Sequence, residues 1–213
     1  MSQYASDVAA LARKDLLLEL RTRDTLPAML LFVVAALTVF HFALPAGSST
    51  RAETGLLWIA IVFTALMGLA RAFAAEREQG VLDGLVLAPC DRSAIWLAKT
   101  IGVTTFLVLA ELVALPAFAL FFHPLSWELV AAVALADLGI AAIGTLLAAV
   151  AAASRARELL LPLLFLPLVI PVVIGGVGAS VASNSGTFLA FLVLYDAVFA
   201  ILSWASFEYV VTE

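Results

Sequence analysis

Charge is scarce in this chain. Of its 213 residues, 13% are Asp, Glu, Lys or Arg, while 64% are hydrophobic and the mean hydropathy is +1.14. A soluble domain carries about 25% charged residues, so a soluble enzyme and a disordered chain are both excluded. The net charge of −5 removes the basic surface that nucleic-acid binding requires. Cysteine is almost absent: Cys90 stands alone, cannot close an internal disulfide, and reads as a small loop residue. With only His41 and His123 and no H-E-x-x-H pattern, a zinc protease site is excluded. No metal site is expected, and no nucleophile–base pair suggests a catalytic one. A phosphate loop is missing as well. Only Lys99-Thr100 supplies its Lys-[Ser/Thr] end, and Ala98 stands where glycine is needed.

What the chain does have is long apolar runs. A transmembrane helix takes about 20 apolar residues. Six such runs are predicted, over residues 26–44, 55–69, 100–122, 127–153, 159–178 and 187–211. They make an all-α integral membrane protein with little left outside. The opening residues are too charged for a cleavable signal, so residues 26–44 are read as a retained anchor. Every Lys and Arg except Arg51 falls on the side that would hold both termini. By the positive-inside tendency that side is the cytoplasm. Trp58 and Trp127 are expected at the outer interface and Trp96 at the inner one. His41 and His123, near the outer ends of spans and beside phenylalanines, read as interfacial imidazoles rather than iron ligands.

Four features stand out against this background. Residues 1–25 form an amphipathic interfacial helix, with Asp7, Arg13, Lys14 and Arg21 on one side and Tyr4, Val8 and Leu11 on the other. Asp15 and Glu19 intrude on its apolar arc, which suits a basic partner surface or the chain's own Arg residues better than lipid. The charged loop 71–99 follows the second span. Within it a helical pattern through Glu76 and Glu78 breaks at Gly80, and Leu82, Leu85 and Val86 share one face. Such a short helix is a knob suited to a groove on another protein. The fifth span holds Pro162, Pro167 and Pro171 and is expected to dissolve into Gly175, Gly176 and Gly178, which suggests a part that bends or gates. Finally, Glu111, Asp137 and Asp196 lie well inside spans, where an ionised carboxylate costs about 2.5–3.5 kcal/mol. No Lys or Arg is expected within the apolar spans to pair with them.

Three blocks resemble a known family: Arg13–Arg21, Glu76–Pro89 running on to Lys99, and Arg157–Pro171. With the length and the six spans, they resemble the CcmB family, the ABC-2 type permease subunit of the cytochrome c maturation system. The resemblance implies that this chain is no enzyme and works with a separate CcmA-type ATPase that binds the ATP. Glu76, Glu78, Gly80, Leu82 and Leu85 would form the coupling helix, and the amino-terminal segment with Asp15, Glu19 and Arg21 the connecting helix beside it. Further implied partners are CcmC, CcmD and the heme chaperone CcmE. Two copies per complex are expected, in lipid of a bacterial inner membrane, and no nucleic acid. The implied function is to couple ATP hydrolysis to heme export or to release of the heme-loaded chaperone, with no cofactor held by this chain alone. Alternatives are an ABC-2 permease for a lipid, polysaccharide or drug, and an ion-coupled transporter using Glu111, Asp137 and Asp196.

Overall fold

The computed structural model describes residues 3–22, 25–45, 47–73, 91–154 and 156–212. Seven helices run through them: α1 (Gln3–Thr22), α2 (Thr25–Ala43), α3 (Thr50–Arg71), α4 (Arg92–Phe121), α5 (Trp127–Ala153), α6 (Arg157–Val181) and α7 (Ser185–Thr212). No strand occurs among the described residues. Six of the helices, α2 to α7, are long and apolar enough to cross a membrane. The six-span expectation holds, and the protein is an all-α, multi-pass membrane protein.

Local chemistry explains where the helices begin. The Ser49 hydroxyl accepts from the Ala52 amide at 3.3 Å to open α3, Asp91 Oδ1 from the Ser93 amide at 2.8 Å to open α4, and the Ser126 hydroxyl from the Leu129 amide at 3.1 Å to open α5. Each satisfies an amide that a helix start leaves without an intrahelical partner. Gly47, between α2 and α3, has φ +83°, a backbone state that favours glycine.

α5 is the central helix and packs on α3, α4, α6 and α7, while α4 also receives α1 and α2. α1 is too polar to span and lies on the first turns of α4 through Val8 and Ala12 against Ala94 and Ala98. At this end the Tyr4 hydroxyl meets Ser93 (3.2 Å), and Arg92 meets Glu208 of α7 (3.2 Å). The start of α4 and the end of α7 therefore share one side of the bundle with α1, called here the near end.

Several expectations are corrected. The third span begins at Arg92 rather than at residue 100, because the Asp91 cap starts the helix early. Residues 92–99, assigned to the charged loop, are helical, and Lys99 is a buried cation within a spanning helix. The fifth span does not dissolve at its glycines. α6 continues to Val181, with Gly175 against Leu192 and Phe191, Gly176 against Trp58, and Gly178 against Phe188. Those glycines serve close helix packing, the usual use of small residues inside a membrane. Trp58 is not at an interface: it is fully buried, its indole filling the space over Gly176. Trp96 is buried too, its Nε1 donating to the Ala142 carbonyl of α5 at 3.2 Å. Trp127 is exposed at the far end, as expected.

Candidate functional site: a lysine hub and a pair of buried carboxyls

The amino-terminal helix brings two carboxylates to the near end, and both are taken up by this chain. Asp15 Oδ2 pairs with Lys99 Nζ at 3.0 Å, with side-chain exposures of 14% and 7%. Lys99 also donates to the Ala72 carbonyl at 2.8 Å and lies 5.1 Å from the Phe73 ring centroid. Lys14 reaches the other Asp15 oxygen at 3.2 Å. Glu19 Oε1 accepts from the amides of Thr25 (2.6 Å) and Leu26 (3.0 Å), so an anion sits on the positive end of α2. The two intruding acids thus face a lysine and a helix start of their own chain. Arg21 is exposed.

Lys99 therefore joins α1, the exit of α3 and the start of α4. Residues 74–90 leave from Phe73 and return at Asp91. Glu76, Glu78, Gly80, Leu82 and Leu85 lie outside the described residues. Hydrogen bonds from the Ser93 hydroxyl and then its amide hold the Asp91 carboxyl below the usual carboxylate range, so the α4 cap stays charged at neutral pH.

In the bundle interior, Glu111 of α4 and Asp137 of α5 face each other within hydrogen-bonding reach. Both are about 15 Å from the far ends of their helices at about 1.5 Å rise per residue. Asp196 of α7 stands at a similar depth but is not part of the pair. It lies over Gly139 on another flank of α5, where a Cβ would collide with it. Its neighbour Tyr195 donates to the Leu168 carbonyl at 2.6 Å, tying α7 to the proline-bearing helix. On α6, Pro167 is exposed in a row with Leu163, Ile170 and Ile174, facing where lipid would be, while Pro162 and Pro171 are half-buried. No group of three or more potential metal ligands occurs among the described residues.

The two histidines sit in an aromatic array at the far end. His41 stacks on Phe121 (5.3 Å between centroids), and His123 meets Phe118 edge-on (4.8 Å). His123 Nε2 lies 3.5 Å from the Thr54 hydroxyl and 4.0 Å from Glu53. The hub at Lys99 was the feature that sequence reasoning missed. Its only signals were a lysine at the edge of an apolar run and, far earlier in the chain, acids on an apolar helical arc.

The profile of the family described as CcmB protein matches residues 6–210, nearly the whole chain. The chain belongs to the CcmB family. It is similar to heme exporter protein B of Rhodobacter capsulatus, 33% identical over 174 residues, 78% of this chain and 79% of that one. The protein of the same name from Paracoccus denitrificans is 32% identical over 175 residues, covering 80% of each. That from Pseudomonas aeruginosa is 33% identical over 184 residues, 83% of this chain and 81% of the relative. The resemblance drawn from the three sequence blocks is thereby borne out.

Proposed function

We propose that this chain is the permease subunit of an ABC-type heme exporter serving cytochrome c maturation. It would sit in a bacterial inner membrane with both termini in the cytoplasm and would have no ATPase activity of its own. The relatives' names supply the heme system; the Lys99 hub supports the coupling role. Both ends of residues 74–90 emerge from a unit that clamps α1, α3 and α4 together. A force applied to that segment by a CcmA-type ATPase would move three helices at once. Leu82 and Leu85 are the gripped knob, Glu76 and Glu78 flank it, and Gly80 separates the two. CcmC, CcmD and CcmE complete the machine, around two copies of this chain, since each offers one knob to a pair of ATPases.

In this reading the chain transmits work and does not conduct heme. Its deepest ionisable side chains are acids, which repel propionates when ionised. The recess beside Glu111, walled by Val33, Ile61, Leu107 and Ala114, is far smaller than a porphyrin. The shift travels through α5 and the proline-bearing α6 to the far end, where a partner holds the heme.

The test is the double substitution Leu82→Asp, Leu85→Asp. Charge on an apolar knob is expected to cost about 2 kcal/mol or more of binding, roughly a thirty-fold loss of ATPase affinity. Insertion in the membrane should persist. Normal ATPase capture together with normal cytochrome c assembly would put the grip elsewhere. His41→Ala and His123→Ala, singly, are expected to leave assembly largely intact, because His41 is exposed and His123 has only long polar contacts to α3. Each should change stability by about 0.5 kcal/mol or less. Loss of heme from the purified complex with either variant would restore the histidines as ligands.

A further inference from the structure

The Glu111–Asp137 pair lies on the α4–α5 seam away from the Lys99 hub, and its surroundings are unusual. Glu111 is 8% exposed and Asp137 1%. Glu111 Oε1 and both Asp137 oxygens are fully enclosed and meet no hydrogen-bond donor. Glu111 also lines the recess between α2, α3 and α4, whose one other polar side chain, Thr64, gives its hydroxyl hydrogen to the Ala60 carbonyl at 2.7 Å. Two carboxyls within hydrogen-bonding reach cannot bond without a proton on one of them, and two like charges in an apolar interior repel.

The neighbouring elements supply no positive charge at this level. α2 and α3 contribute Val33, Ile61 and Thr64. α7 contributes Tyr195 and Asp196 on another flank of α5. α6 carries charge only at its start, in Arg157 and Glu158. Of the two cations on α4 itself, Arg92 stands at its start against Glu208, and the nearer, Lys99, is about 18 Å along the helix at about 1.5 Å per residue and is held by Asp15 of α1. An alkali ion would need more oxygen ligands than two carboxyls and one threonine offer among these apolar walls.

We propose that Glu111 and Asp137 form a proton-binding site in the membrane interior, reached through the recess that Glu111 lines, whose occupancy holds α4 against α5. With the proton in place the carboxyls bond and the seam is closed. When it leaves, two negative charges face each other and the seam parts toward the recess. Stability from this contact is therefore present at low pH and lost as pH rises.

The test uses the full chain in lipid nanodiscs. Infrared difference spectra between mildly acid and alkaline buffer should show a protonated-carboxyl band that disappears on deprotonation. The thermal midpoint should fall by several degrees over the same change. Glu111→Gln with Asp137→Asn, which keeps shape and an amide–amide bond, should abolish both responses, while Asp196→Asn should retain them. Exchanging sodium for choline at fixed pH should change nothing. The proposal fails if the unmodified chain shows no such band. It also fails if the responses vanish with Asp196→Asn instead, or if sodium and not pH sets the midpoint. These readouts need no partner, so they stand or fall apart from the coupling role.

Discussion

Replacing Lys99 by leucine is expected to detach α1 from the bundle at a cost of about 3 kcal/mol. Removing one partner of a buried ion pair strands the other, and such losses run to about 3–5 kcal/mol. Lys14, at 3.2 Å from Asp15, offsets part of that, so the lower end applies. The Ala72 carbonyl loses its donor and the Phe73 ring its cation in the same step. Hydrogen exchange in nanodiscs should show faster exchange along α1 and in the last turn of α3, with α5 and α6 unchanged. Lys99→Leu combined with Asp15→Leu should recover much of the loss, because no buried charge is then left alone. If α1 exchanges normally in the single variant, or the double variant is no better, the hub does not carry the contact. Within the proposed complex, the single variant should also weaken the link between ATP turnover and cytochrome c assembly while the spans remain inserted.

The second large effect is expected at Gly176. A Cβ there would collide with the ring atoms of Trp58, and Trp58 is fully buried. A flat, rigid and fully buried indole cannot step aside as a flexible side chain would, so α3 and α6 must part. Gly176→Val is expected to cost about 3 kcal/mol, the upper part of the range for overpacking. Two other glycines grade the effect. At Gly144 the nearest atoms are the terminal methyls of Leu69, which can rotate, so Gly144→Ala should cost less. At Gly102 nothing lies within 4 Å, and Gly102→Ala should be neutral or stabilising by up to about 1 kcal/mol through helix propensity. Thermal midpoints of the three variants in nanodiscs should follow that order. Equal midpoints for Gly176→Val and Gly102→Ala would mean that the Trp58 contact is not tight.

Much of the bundle was legible in the sequence because membrane insertion is read from composition along one helix at a time. The run 127–153 matches α5 as it stands, and the others differ by a few residues at their ends. The larger error, at the start of α4, came from treating Lys99 as a loop residue. A buried lysine inside a span looks forbidden until its carboxylate is known, and Asp15 is eighty-four positions away. Trp58 was misplaced for a related reason. Interfacial indoles are common, and only the bare backbone of Gly176 on another helix makes an interior pocket for this one.

The sequence by itself determined the class of the protein, the number of spans and the family. It also marked Asp15, Glu19, Glu111, Asp137 and Asp196 as acids that a lipid-facing helix would not keep. Each of those follows from local apolarity and from motifs that lie within one segment. Only the tertiary structure decided which acid meets what. Asp15 found Lys99, Glu19 found the start of α2, Glu111 found Asp137, and Asp196 was left over Gly139. Helical periodicity says which face a side chain is on. Which helix that face meets depends on how six nearly equivalent apolar rods choose their neighbours, and that choice rests on small residues and single polar contacts spread across the whole chain.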